Sequence, residues 1–185
     1  MSQGYVPGPA QVFVGVGAAD ALVFLGYSEN GVEVNSDAAF RPVYSDFGGP
    51  DKPVDSQYMG EDATITMTLN KYNEAILKTC MQRAVASGNV AGSIGANQLG
   101  SLMVAQSYSF QLVVYSPYSG LSYQSATIRP CYDFGAAWLT GNVVDPISTL
   151  LKAPRIVFYA IPVWNSTALT AVLYSNTTPS LPSVN

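Results

Sequence analysis

The chain has 185 residues, enough for one domain with a full hydrophobic core of its own, with or without appendages. Apolar residues make up 48% of the sequence and charged residues only 11%, less than half of the ~25% that is usual in soluble domains. Twelve tyrosines beside so few ions favour a subunit whose surface is covered by neighbouring subunits. The alternative is a secreted, uncharged β-protein.

Charge is unevenly divided along the chain. Residues 1–62 hold nine acids and two bases, a net charge of −7, whereas residues 63–185 hold three acids and six bases, a net charge of +3. This division permits head-to-tail association of unlike surfaces, although solvated loops explain it equally well. It offers no basic patch that would grip nucleic acid. The sequence has no run of ~18 apolar residues, so we predict no membrane anchor.

The residue types that carry most protein chemistry are scarce. The sequence contains no histidine, which removes the commonest general base and metal ligand. Cys80 and Cys131 lie far apart and form no metal-binding spacing, so we expect two buried thiols in a reducing compartment. Gly15 and Gly17 begin a glycine pattern that lacks the third glycine of a dinucleotide site. We therefore predict no catalytic residue, no cofactor and no metal site, and the protein is not expected to be an enzyme.

The first elements predicted are an N-terminal arm over 1–19 and a hairpin over 21–37. Apolar residues flank Ser28-Glu29-Asn30-Gly31, and Asn-Gly is the strongest short signal for a hairpin turn, since both residues tolerate positive φ. The domain proper is expected to run from 20 to 165.

A segment rich in glycine, proline and aspartate follows at 40–60, and it predicts a long exposed loop or an extended hairpin. Long loops of compact domains are usually functional or disordered. Aromatic residues favour function here, because something must cover them. The candidate residues of this assembly loop are Phe40, Tyr44, Phe47, Asp51 and Tyr58.

The hydrophobic period then changes from 2 to 3.6 without an intervening loop. Apolar residues alternate with threonines over 62–69, the pattern of a half-buried strand. Residues spaced three and four apart follow, which predicts a helix over about 71–86 with Asn70 as its N-cap. Tyr72, Ile76 and Cys80 fall on one face of this helix and are expected to anchor it on the sheet.

The rest of the chain reads mainly as strands. A glycine-rich link is predicted over 88–101, then strands near 108–115, 122–134 and 153–166, and a C-terminal strand with a flexible arm over 166–185. The predicted fold is mainly β: a β-sandwich or barrel of six to eight strands with one α-helix packed on it.

The order of these features resembles that of the phage tail tube (major tail) protein family. The matching pieces are a hairpin (24–34), a long loop (40–60), a threonine-rich strand that runs into a helix (63–77), and two further strands (107–117 and 154–164). They span roughly residues 20–165.

The resemblance implies a structural role in the virion. Subunits would assemble in the host cytoplasm into homo-oligomeric, hexameric rings, which stack into the conduit for genome ejection. Loop 40–60 would contact an adjacent subunit or ring. The other partners implied are virion proteins such as the sheath, the tail terminator or the capsid, with DNA only as passing cargo. A capsid decoration (cement) protein is the alternative within the virion. A carbohydrate-binding β-sandwich, with Trp138 and Trp164 as stacking platforms, is the alternative from another class.

Overall fold

A computed structural model of the chain describes residues 2–6, 9–15, 21–45, 52–80, 83–86, 89–94, 109–116, 131–140, 153–165, 167–176 and 179–182. Within these residues the protein is mainly β, with one short helix, which confirms the predicted fold class. The strands are β1 (Ser2–Val6), β2 (Gln11–Gly15), β3 (Leu22–Tyr44), β4 (Pro53–Tyr72), β5 (Arg83–Ala86), β6 (Asn89–Ile94), β7 (Phe110–Tyr115), β8 (Cys131–Thr140), β9 (Arg155–Ala160), β10 (Val163–Asn165) and β11 (Thr170–Val172), and the helix is α1 (Glu74–Cys80).

The main sheet has seven antiparallel strands in the order β1-β3-β2-β7-β8-β9-β4, and β4 also pairs with β3. This last pairing joins β2, β7, β8, β9, β4 and β3 in a closed ring of six strands. Closure satisfies the backbone hydrogen bonds that an open sheet leaves at its edges. β1 lies outside the ring. It pairs with the same edge of β3 as β2 does, farther along that strand.

The core lies inside this ring and follows from the alternation of apolar and polar residues. On β4, Ala63, Ile65, Met67 and Leu69 are buried while the threonines between them are half-buried, as the alternation in the sequence predicts. These side chains meet Phe134 of β8 and Phe158 of β9 in one cluster. A second, smaller cluster of Phe13, Val113, Tyr115 and Cys131 lies on the opposite face of β2, β7 and β8. Both cysteines are buried thiols, as expected.

The hairpin predicted at Asn30-Gly31 is wrong. β3 continues through this dipeptide, advancing four residues from Ser28 to Val32 while β4 moves only two, from Leu69 to Met67. Gly31 has a φ of 96°, so the glycine supplies the positive φ of a bulge instead of a turn. On its other side β3 changes partner here, from β2 to β1.

The helix is shorter than predicted. Lys71 and Tyr72 still pair with β3, so the strand extends past the predicted N-cap, Asn70. Asn73 caps the helix instead: its Oδ1 accepts hydrogen bonds from the backbone N–H groups of Ala75 (3.1 Å) and Ile76 (3.3 Å). After Cys80, residues 83–86 form β5, which pairs with β6 in a hairpin. The predicted helix end and the first part of the predicted glycine-rich link are therefore strands.

Both predicted terminal arms also need correction. β2 lies in the closed ring between β3 and β7, so residues 11–15 belong to the domain. Near the C-terminus, the strand predicted within 166–185 is β11, which pairs with β10. Beyond it, the backbone of Ser175 exchanges two hydrogen bonds with Asp133 of β8, both 2.9 Å long. Tyr174 packs on Tyr132 and Phe134, with ring centroids 5.1 and 5.9 Å apart. Aromatic packing thus fixes this segment on the sheet.

Candidate assembly surface

The segment predicted as an assembly loop is a two-stranded extension of the barrel. The pairing of β1 with β3 ends at Ser36, and the pairing of β9 with β4 ends at Ala63. Beyond these residues β3 and β4 continue to pair with each other, up to Tyr44 opposite Pro53. We call this part, residues 37–44 and 53–62, the ribbon. Of the two alternatives that the sequence left open, the described residues therefore form the extended hairpin. Phe47 and Asp51 lie outside the described residues.

The ribbon exposes large apolar side chains to an unusual degree. Phe40 is 60% exposed, Tyr44 57% and Tyr58 54%, and Val43, Val54 and Met59 are comparably exposed. Directly opposed residues of an antiparallel pair lie on the same side, as do residues two apart along a strand. Phe40, Tyr44 and Tyr58 therefore share one face, since Phe40 pairs with Tyr58. Burial of such side chains stabilises a contact by ~1.5–3 kcal/mol each.

Two irregularities shape the ribbon. The register shifts between Ala39 and Phe40 and again between Val43 and Tyr44, which are bulges. Gly60, at the first of them, has a φ of 130°, a conformation that side-chain-bearing residues rarely adopt. Bulges bend a strand and increase its twist, so the ribbon is expected to bend and twist at these positions.

A hydrogen bond ties the base of the ribbon to the barrel. The hydroxyl of Tyr159 on β9 donates to the carboxylate of Asp62 at 2.8 Å. This hydrogen bond, followed by desolvation and by the charge of Asp62, raises the pKa of Tyr159. The ring of Trp138 lies against Tyr159, with centroids 5.2 Å apart. The hydrogen bond therefore holds Asp62 at the point where the pairing of β4 with β9 ends.

Of the predicted helix anchors, Ile76 and Cys80 lie on α1, whereas Tyr72 is the last residue of β4. Cys80 is buried, and Tyr72 and Ile76 are half-buried and packed against the main cluster. Burial raises the pKa of the Cys80 thiol to about 12, so this sulfur is inert. Leu77 is more buried than Ile76, with 5% of its surface exposed, but it was not among the predicted anchors. Leu77 lies three residues before Cys80 and therefore on the same side of α1.

A second exposed apolar surface lies on the β10–β11 hairpin. Trp164 is 62% exposed and Leu169 73%, with Val163 and Val172 beside them. Leu169 has a φ of 52°, a strained conformation for a residue with a side chain. Of the two tryptophans named for the carbohydrate-binding alternative, Trp138 is half-buried and Trp164 is exposed.

In the ranges that the structure describes, metal-ligating side chains form no cluster. Among the described residues, no group of three or more aspartates, glutamates or cysteines is placed to hold a metal ion. No helix in the described part of the chain is long and apolar enough to cross a membrane. The chain matches no family model, no curated protein and no solved structure. The exposed apolar surface of the ribbon is therefore the candidate functional feature.

Proposed function

We propose that the protein is a self-assembling structural subunit of a virion, and specifically a phage tail tube subunit whose rings stack into the conduit for genome ejection. The resemblance in feature order suggests the specific role. The ribbon carries the proposal: it places Phe40, Tyr44 and Tyr58 in solvent, each more than half exposed, at the end of a rigid barrel. Exposed aromatic residues at this density are typical of a surface that another protein covers.

The closed barrel limits how copies can join. A closed ring of strands has no edges of its own to offer. In the described part of the chain, the ribbon strands pair only with each other, and no other described strand pairs with their outer edges. Edge-to-edge pairing of ribbons from successive copies would extend a sheet around a ring. The same contact between copies would bury the exposed aromatic residues.

The low charge of the chain fits this role. Interfaces are depleted in lysine and glutamate and enriched in tyrosine. The ribbon is the exception to this low charge, since five of its 18 residues are charged: Asp37, Arg41, Asp55, Glu61 and Asp62. An interface formed by the ribbon would have to pair these charges or leave them hydrated at its rim. The net charge of −4 also gives a conduit no excess of cations to hold phosphates.

The test is electron microscopy of the purified protein in negative stain, with its mass in solution measured beside it. Rings or tubes with a central hole are expected. Closed trimers without a hole would favour the capsid decoration protein. A monomer at every concentration would contradict self-assembly, and would then favour a binding domain such as the carbohydrate-binding alternative.

A further inference from the structure

We infer that β1 is exchanged between subunits, so that β1 of one copy pairs with β3 of a second copy. This inference goes beyond the proposed function and rests on its self-assembly. The occupant of the β3 edge would be a segment of the same chain, Ser2–Val6, in the register seen within one subunit.

The position of β1 makes it separable from the barrel. The closed ring of six strands is complete without β1. In the described residues β1 pairs with β3 alone, from Ser2 opposite Ser36 to Val6 opposite Val32. Removing β1 therefore leaves every strand pairing of the ring in place.

The segment between β1 and β2 is short and contains two prolines, in the sequence Pro7-Gly8-Pro9-Ala10. Prolines restrict the backbone of a linker and favour an extended conformation for the residue before them. Two hydrogen bonds hold the end next to β2: Ala10 N–H donates to Ser28 Oγ at 2.9 Å, and Ser28 N–H donates to the Ala10 carbonyl at 2.8 Å. The barrel thus has an attachment at Ala10 that does not depend on β1.

The edge that β1 leaves cannot stay empty at low cost. Val32 and Val34 are buried core residues on the part of β3 that β1 covers. Without a strand beside them, backbone groups and apolar surface of β3 would be exposed to water. An identical strand from another copy restores the same hydrogen bonds. Exchange of identical elements therefore changes the contacts little, and it is a low-cost route to linked subunits.

Engineered disulfides distinguish the two arrangements in the full-length protein. Gln3 pairs with Asn35, and opposed residues of antiparallel strands lie ~4.5–5.5 Å apart at Cα, within the range that a disulfide spans. The double variant Gln3→Cys/Asn35→Cys is assembled and oxidised, and a denaturing gel without reductant then reports the covalent products. Tyr5→Cys/Glu33→Cys repeats the test two residue pairs away, in case the first variant does not fold. Thr66→Cys/Val157→Cys joins β4 to β9 within the ring and is the matched control.

Assemblies are expected in electron micrographs of all three variants. The two β1–β3 variants should then run mostly as a ladder of covalent multimers, and the control as a monomer, since Cys80 and Cys131 are buried. If assemblies form but every cysteine pair gives only monomers on the gel, the exchange is overturned and the proposed function is not. Cross-linked monomers without any assemblies would overturn both.

Discussion

Phe40 and Tyr58 face each other across the ribbon, with ring centroids 5.7 Å apart and planes inclined at 64°. An edge-to-face pair of this kind stabilises a cross-strand contact by ~0.5–1.5 kcal/mol beyond the area it buries. The same two rings remain more than half exposed. The pair therefore holds the two strands together and still offers a preformed apolar surface to a partner, which limits the ordering cost of binding.

Replacing Phe40 by aspartate should separate assembly from folding. We expect Phe40→Asp to raise the protein concentration needed for assembly at least ~10-fold, which corresponds to ~1.4 kcal/mol. The free energy of unfolding should change little, because the side chain is 60% exposed. Sedimentation of assemblies and urea unfolding measure the two effects. Ala75→Asp adds the same charge at an exposed position in the first turn of α1, where an acid is tolerated, and should assemble normally. Equal loss in both variants would attribute the effect to charge alone.

Removing the cap of α1 should cost stability. Asn73→Ala deletes the side-chain oxygen that accepts hydrogen bonds from Ala75 and Ile76, and we expect a loss of ~1 kcal/mol. Asn70→Ala is the control, since Asn70 is an exposed residue of β4, and it should stay within ~0.5 kcal/mol of the native protein. Chemical denaturation measures both. A larger loss for Asn70→Ala would restore the helix start that the sequence predicted.

The inward face of α1 can be tested by charge. An unpaired carboxylate in the core costs several kcal/mol, so Leu77→Asp should unfold the protein or nearly so. Ile76→Asp should be the milder change, because Ile76 is half-buried and its carboxylate can reach water. Circular dichroism during thermal unfolding ranks the two. If Ile76→Asp proved the more harmful, the face inferred from sequence periodicity would be right and the observed one wrong.

The sequence predicted the strands whose signal is local. The alternation at 62–69 identifies the buried half of β4, and β7 and β9 follow equally from their apolar runs. The Asn30-Gly31 signal failed because positive φ serves a turn and a bulge alike. Which of the two forms depends on β1, β2 and β4, the partners on either side of β3, and these are distant in sequence.

The candidate surface was predicted only in part. The aromatic content of 40–60 indicated that Phe40, Tyr44 and Tyr58 need covering, and these residues are exposed on the ribbon. The exposure of Leu169 had no such signal, and that of Trp164 was expected only under the carbohydrate-binding alternative, because an apolar run next to a strand looks the same whether it enters the core or leaves it. Only the pairing of β10 with β11 decides this.

The two native thiols should resist modification. Cys80 and Cys131 are both almost completely buried, and the pKa of Cys80 is raised to about 12 by burial. A thiol reagent at pH 8 should therefore react only as fast as the protein unfolds. Thr79→Cys places a thiol at the exposed neighbouring position of α1 and should react at once. Rapid reaction of the native protein would show that α1 opens readily.

The carboxyl group of Asp133 should make stability depend on pH. Desolvation by burial raises its pKa above the ordinary value of 3.8, and the hydrogen bond that Gln111 Nε2 donates to its Oδ1 at 2.8 Å lowers it in part. The folded state therefore binds this proton more tightly than the unfolded state. The contribution of Asp133 to stability is full below the unfolded pKa and is lost as pH rises through the folded pKa. At neutral pH the buried charge is a net cost.

Asp133→Asn removes that charge and keeps an oxygen that can accept from Gln111. We expect the variant to be more stable than the native protein at pH 7 and to lose this advantage near pH 3, where the native carboxyl is protonated. Urea unfolding at the two pH values measures the difference, and Asp37→Asn, at an exposed position of β3, separates the local effect from the change in net charge. Gln111→Ala should raise the pKa of Asp133 further, because it deletes the donor that lowers it. An Asp133→Asn variant that is destabilised equally at both pH values would instead show that the carboxyl group is needed in either protonation state, and that its charge carries no electrostatic cost.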